Sequence, residues 1–191
     1  MALVQIDPRP VLGPWLAGYT LDRHTVTSTF VGYDGDRKIF DTTYTALGEL
    51  LFQFKYRGGP HAAIVDTAVQ FVTSRWLGEI DFVTYPPFSI RRAIQPTRII
   101  AAEIASRLGV PLLDSAVTKS TPTPPIKNVS QEKRASMLRM AIQSGSDSVQ
   151  GKRLLVVDDL WQTGSTMIRV AEVLGQAGAT DVKVLVMTRT R

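Results

Sequence analysis

Residues 154–166, Leu-Leu-Val-Val-Asp-Asp-Leu-Trp-Gln-Thr-Gly-Ser-Thr, leave this chain little freedom of fold. Leu154 to Val157 are four consecutive apolar residues, a run that suits a strand covered on both faces, as in a parallel sheet. The run ends in Asp158 and Asp159. In open α/β sheets, ligands sit beyond the carboxyl ends of the strands, which is where these acids are expected. Successive strand side chains point to opposite faces, so the two acids cannot play identical parts. Past a short turn, Met167, Val170, Ala171 and Leu174 follow helical spacing, with Gly178 as a stop. The N-terminus of that helix offers unpaired N–H groups and a positive dipole end, which favour an anion, and Thr163, Ser165 and Thr166 add hydroxyls. Carboxylates for sugar hydroxyls or a metal, beside a cradle for a phosphate, suit a phosphorylated sugar.

The remaining chain narrows the field mainly by exclusion. At 191 residues it is expected to be one domain, residues 1–191, with a substantial core. No stretch approaches 18 uncharged apolar residues, so no membrane span is expected. The N-terminus lacks a basic region followed by a long apolar segment, so no secretory signal is expected and the cytoplasm is the expected compartment. With no cysteine, disulfides, thiolate zinc sites and thiol nucleophiles are excluded. Two histidines, His24 and His61, do not form a metal motif. Charge is uneven: residues 1–60 hold six acids and six bases, whereas residues 85–139 hold nine bases and three acids. Such a field steers polyanionic small ligands and also suits nucleic acid. Phe88 is the only aromatic past Tyr85 in that stretch, which weighs against single-strand stacking.

Along the chain, periodicity alternates. Residues 1–18 hold three prolines and two glycines and are expected to be irregular. His24 to Val31 and Lys38 to Tyr44 flank Asp34-Gly35, a β-hairpin by turn chemistry. Residues 1–43 thus form an N-terminal extension and hairpin, whose plainest role is a surface element or a dimer contact. Leu47, Leu50, Leu51 and Phe54 mark a helix stopped at Gly58; Ile64, Ala68, Phe71 and Val72 mark another ending near Trp76. Ile80 to Tyr85 is an expected strand, Ile99 to Leu108 a helix entered at Pro96 and closed by Gly109, and Val110 to Leu113 a short strand. Ser115 to Ser130 carries Pro122, Pro124 and Pro125 among threonines and lysines, so no regular structure is expected there. Alternating strands and helices argue for a parallel α/β sheet.

The 154–166 segment resembles the signature of the type I phosphoribosyltransferases: a hydrophobic strand, two acids, two variable residues and a Thr-Gly-x-Thr type phosphate loop. The resemblance extends toward the ComF-like branch of that family. Phe52-Gln53-Phe54-Lys55-Tyr56-Arg57-Gly58 resembles its Lys-Tyr-x-Gly segment, Arg91-Arg92-Ala93-Ile94-Gln95 its Arg-Gly-Phe-Asn-Gln stretch, and Val129 to Arg134 its Leu-Ser-x-x-x-Arg stretch. It runs from about Tyr44 to the end. The branch often carries an N-terminal cysteine zinc module, which a chain without cysteine lacks. Ala93 replaces a glycine of the pattern. Gln162 stands where purine-specific relatives carry an aspartate that handles the base proton, which disfavours purine salvage of that kind.

The resemblance implies a Rossmann-like α/β fold: a parallel sheet flanked by helices, with an N-terminal β-hairpin and a flexible hood loop over residues 114–130. It implies a magnesium-dependent enzyme that uses phosphoribosyl diphosphate, transfers phosphoribose to a nitrogen nucleophile and releases diphosphate. It implies that Asp158 and Asp159 hold the ribose 2- and 3-hydroxyls, directly or through metal-bound water, so that their contact with Mg2+ is indirect. Gln162, Thr163, Gly164, Ser165 and Thr166 are then the 5-phosphate loop. Arg91, Arg92, Lys127 and Arg134 are candidates for the diphosphate, as guanidinium forks match phosphate oxygens. Lys119 belongs with them, and Lys55 is expected to be a structural helix-end lysine. The partners expected are phosphoribosyl diphosphate and a small-molecule acceptor. Two alternatives remain: a non-catalytic regulatory protein that binds phosphoribosyl diphosphate or nucleotides, and a ComF-like nucleic-acid-associated protein.

Overall fold

The computed structural model describes residues 2–88, 95–120 and 141–190. Its centre is a five-stranded sheet in the order β1-β2-β9-β8-β5. The strands are β1 (Arg9–Pro10), β2 (Ala17–Arg23), β5 (Phe82–Thr84), β8 (Arg153–Trp161) and β9 (Asp181–Arg189). The pairs β2/β9, β9/β8 and β8/β5 are parallel, and only the two-residue β1 runs antiparallel, at the edge. The sheet is therefore mixed, with the expected parallel strands at its heart. A separate hairpin, β3 (Thr25–Asp34) with β4 (Arg37–Tyr44), and a small antiparallel pair, β6 (Val117–Lys119) with β7 (Ile142–Ser144), stand outside it.

Helices cover both faces. On one lie α1 (Ala46–Arg57), α2 (Ala62–Trp76) and α3 (Pro96–Leu108); on the other lies α4 (Ser165–Gln176), with β6 and β7. The alternation of β8 and β9 builds two half-cores. Leu155, Val157, Leu185 and Met187 pack with Leu47, Leu51, Ile64 and Ile100 on the α1–α3 side. Leu154, Val156, Val184 and Val186 pack with Met167, Val170 and Leu174 on the α4 side. All fifteen of these side chains are essentially inaccessible. Each, at about 25 cal/mol per Å² of apolar area, contributes roughly 1.5–3 kcal/mol.

The helix ends follow their local chemistry. Thr45 caps α1 by accepting from the Gly48 N–H at 3.0 Å, and its own hydroxyl reaches the Arg23 carbonyl at 2.7 Å, which ties the helix start to the root of the hairpin. Gly58 and Gly109 close α1 and α3 in the left-handed region, as their positions after the last apolar residue predict.

Four expectations are corrected. Residues 1–18 are not wholly irregular: β2 begins at Ala17 and lies beside β9 in the main sheet. Its buried polar residues hid it, since Thr20 and Asp22 interrupt the apolar pattern; Thr20 accepts from the Arg189 Nη1 at 3.2 Å and Asp22 takes the Arg23 N–H at 2.7 Å. Val110–Leu113 makes a single bridge, Leu112 to Val83, because Pro111 has no N–H to extend a ladder. The strand expected over Ile80–Tyr85 shortens to β5. Ser115–Ser130 contains one regular piece, β6, before residue 121, and residues 121–130 of the expected hood loop lie outside the described residues. Among the described residues no helix is long and apolar enough to cross a membrane.

Candidate active site

Strand β8 does not stop at the acids. Its backbone pairing with β9 continues through Asp158 opposite Val186 and Leu160 opposite Thr188 to Trp161. Asp158 and Asp159 are therefore held by the sheet itself, near its carboxyl end, and not by a loose turn after it. Strand parity assigns Asp158 to the α4 face and Asp159 to the α1–α3 face. The two are joined locally, as the Asp159 N–H donates to Asp158 Oδ1 at 2.8 Å.

Their environments differ accordingly. Burial raises the Asp158 carboxyl well above the usual carboxylate range, and the Asp159 charge raises it further, against the opposing Asp159 N–H bond and Lys55 charge. Asp159 meets an ammonium: Lys55 Nζ lies 2.7 Å from Asp159 Oδ2, with only 14% and 16% of the two side chains exposed. Thr188 Oγ1 donates to the Asp159 carbonyl at 3.2 Å and lies 3.1 Å from His24 Nδ1. Burial lowers the His24 pKa, the Lys55 charge lowers it further, and Asp159 opposes.

Beyond Trp161 the chain turns through Gln162, Thr163 and Gly164 into α4. Gly164 is the N-cap at φ 73°, a left-handed conformation that suits glycine, and a Cβ there would run into the Trp161 ring. A glycine cap offers no side chain to the first amides of α4, which therefore point their donors outward. Thr163 Oγ1 and Ser165 Oγ sit 3.0 Å apart on the rim. Trp161 rests edge-on against Trp15, with ring centroids 6.0 Å apart, and Trp15 is fixed by its Nε1–H to the Val11 carbonyl at 2.9 Å. The floor of the loop thus depends on the N-terminal arm.

Two cavities meet at the acids. One of about 210 Å³ is lined by Asp158 to Met167 and holds the whole expected phosphate loop. The other, about 230 Å³, is lined by Lys55, Pro86, Pro87, Phe88, Gln95, Pro96 and Thr97 together with Asp158, Asp159 and Thr166. Its far wall is braced: Phe88 stacks on Tyr85 at 5.3 Å, the Tyr85 hydroxyl donates to Asp114 at 2.8 Å, and Arg98 grips the same carboxylate at 2.8 Å through Nε and Nη2. Burial, then the Asp114 bond, pushes the Tyr85 phenol up to about 12.

The structure brings together seven of the expected site residues: Asp158, Asp159, Gln162, Thr163, Gly164, Ser165 and Thr166. Arg91, Arg92, Lys127 and Arg134 lie outside the described residues. Lys119 ends β6 and lines neither cavity; burial lowers its pKa. Sequence reasoning placed Lys55 at the margin, as a helix-end lysine. The signal for it was present, because Lys55 lies four residues after Leu51 on the buried stripe of α1.

Among the described residues no three His, Asp or Glu side chains are placed to hold a metal ion. Two divergent carboxylates, one already paired with an ammonium, do not make a closed cage. They suit a hard cation such as Mg2+, which keeps waters and takes one or two carboxylates plus substrate oxygens.

The geometry can be set beside known proteins. A family model described as "Phosphoribosyl transferase domain" matches residues 98–191, which include most of α3, β6–β9, α4 and both acids. Amidophosphoribosyltransferase 3, chloroplastic, of Arabidopsis thaliana is 28% identical over 158 residues. That similarity covers 78% of this chain but only 28% of the relative, so the chain spans little more than a quarter of its length. Among solved structures, glutamine phosphoribosylpyrophosphate amidotransferase from B. subtilis aligns with a TM-score of 0.48 and 20% identity, covering 88% of this chain and 45% of that one. Adenine phosphoribosyltransferase from Saccharomyces cerevisiae aligns at 0.48 with 14% identity, covering 84% and 83%. The paired acids and the loop both lie inside the matched segment, so it is residues 98–191 that are similar to the phosphoribosyl transferase domain.

Proposed function

We propose that this protein is a magnesium-dependent phosphoribosyltransferase. It takes phosphoribosyl diphosphate, transfers the phosphoribosyl group to a nitrogen nucleophile and releases diphosphate. The observation that carries this reading is the meeting of the two cavities along Asp158, Asp159 and Thr166. A ligand with one phosphate in the loop and a sugar over the acids has its far end directed into the second cavity, which is the layout a 5-phosphorylated sugar with a leaving group at C1 requires.

In this reading the α4 amides and the Thr163, Ser165 and Thr166 hydroxyls hold the 5-phosphate, and Gln162 adds a loop amide. Asp158 and Asp159 hold the ribose hydroxyls from two sides of β8, which fixes the ring while the C1–oxygen bond opens. Positive charge develops on the sugar and negative charge on the diphosphate, and a preorganised site must meet both. Magnesium, when bound, neutralises diphosphate oxygens. Arg91, Arg92, Lys127 and Arg134 remain proposed for the diphosphate side on the strength of sequence alone, as does membership of the ComF-like branch. Among the described residues, the titratable groups that line the cavities are Lys55, Asp158 and Asp159. None is placed as a dedicated base toward the second cavity, which suits an acceptor that is already nucleophilic, such as an amine. The name of the Arabidopsis relative supports a nitrogen acceptor.

Calorimetric titration with phosphoribosyl diphosphate in magnesium buffer tests the reading. Wild-type protein is expected to bind. Asp158→Asn and Asp159→Asn are each expected to weaken binding about tenfold or more, which is about 1.4 kcal/mol. No binding to the wild type rejects the proposal. Diphosphate release in the presence of candidate amines separates a transferase from a regulatory binding protein.

A further inference from the structure

A ligand of this kind carries charge at both ends, yet the two cavities are lined very differently. The loop cavity offers its anion amides and hydroxyls and has no cationic side chain among the described residues that line it. The second cavity has one among the described residues that line it, Lys55. Lys55 reaches it from α1, an element outside the segment that matches the phosphoribosyl transferase domain. Its position is imposed from three sides. Leu51 and Phe54 bury the neighbouring stripe of the helix, Thr45 fixes the helix start, and Asp159 holds the ammonium at 2.7 Å. An ammonium has three donors, and the ion pair uses one.

A buried ion pair next to an open cavity has a particular electrostatic consequence. Asp159 offsets the cost of keeping Lys55 away from bulk water before any ligand arrives, so the cation is preorganised and no reorientation is needed when an anion enters. The pair also sits on the α1–α3 side of β8, whereas the phosphate loop sits on the α4 side, so Lys55 faces the end of the ligand that the loop does not hold.

Resting on the function proposed above, we infer that Lys55 is a diphosphate-binding residue: its ammonium bridges Asp159 and the leaving diphosphate of the sugar donor. This is a role in binding the leaving group, distinct from the merely structural pairing of a helix end with a strand. It predicts a split that a structural role would not produce. Ribose 5-phosphate needs only the loop and the acids, inorganic diphosphate needs the Lys55 side, and phosphoribosyl diphosphate needs both.

The experiment is calorimetry of the full chain in magnesium buffer with these three ligands, for the wild type, Lys55→Met and Lys55→Arg, with melting curves to check folding. Lys55→Met is expected to weaken inorganic diphosphate and phosphoribosyl diphosphate about tenfold or more while leaving ribose 5-phosphate within about threefold. Lys55→Arg, which keeps the charge, is expected to restore most of the loss. Equal weakening of all three ligands by Lys55→Met overturns the inference in favour of a role exerted only through Asp159, and so does no weakening of any. If the wild type binds ribose 5-phosphate but not diphosphate, the Lys55 assignment fails alone. If it binds none of the three, the proposed function itself fails. Should Lys55→Met not fold, Lys55→Gln keeps a donor toward Asp159 without the charge and gives the same readout.

Discussion

The two adjacent aspartates show how far identical residues can be driven apart by one step along a strand. Asp158 is desolvated on the α4 face, and Asp159 is neutralised by Lys55 on the other. The burial of Asp158 has a sign that can be checked. Its carboxyl titrates higher folded than unfolded, so the folded state holds the proton more tightly, and stability falls as pH rises above the ordinary carboxylate range. Asp158→Asn removes that dependence, and denaturant melts of the ligand-free protein at pH 4 and pH 7 are expected to differ less in the variant than in the wild type. Gly164 is a second position where one residue matters. Gly164→Ala places a Cβ in the left-handed region and against the Trp161 ring, and is expected to cost about 1–3 kcal/mol and to weaken ribose 5-phosphate, measured by melting and titration. Both aspartates and the loop glycine were legible in the sequence because acids and turn sit in one fixed register. The Lys55 partnership was not, because a helix-end lysine gives no sign of which strand it will meet.

At the scale of elements, the strongly periodic helices and the hairpin were readable, while short strands were not. The helices repeat their apolar positions over three or more turns, and Asp34-Gly35 specifies a tight turn. Strand β2 escaped because its buried hydroxyl and carboxylate look like loop residues, and the partner of the Thr20 hydroxyl, Arg189, lies 169 positions away. Element contacts give two further predictions. Asp81 accepts from the Arg153 backbone N–H at 3.0 Å and its side chain at 2.7–3.1 Å, which fastens the start of β8 to the segment before β5. Arg153 holds the Asp81 pKa down to about 2, so the clip's stabilisation is present above the usual carboxylate range and is lost as pH falls toward 2. Since both side chains are a third or more exposed, Asp81→Asn is expected to cost only about 0.5–1 kcal/mol at neutral pH, and less at pH 2, by urea melts. The edge-on Trp15–Trp161 pair is expected to show a coupling of about 1 kcal/mol in a double-mutant cycle with leucine at each position.

For the molecule as a whole, the chain's two ends are tied together beside the site. Arg189, buried near the end of β9, donates to the Asp7 carbonyl at 3.1 Å and pairs with the Asp7 carboxylate at 3.2 Å, while the His24 N–H reaches the Arg189 carbonyl at 2.7 Å. Arg189→Met is expected to release the arm, read as faster amide exchange over residues 2–16 with the β8 amides still protected. No local pattern announces such a tie, because it joins positions at opposite ends of the sequence; the α/β class and the central acids were legible because each rests on one contiguous segment. The parity of β8 reaches further than either acid. An inserted residue between Val157 and Asp158 would hand each carboxylate to the opposite layer and set an unpaired ammonium against a strange neighbour. Neither layer could absorb that exchange by repacking alone. The strand's count of residues up to the acids therefore matters to this site as much as the acids themselves.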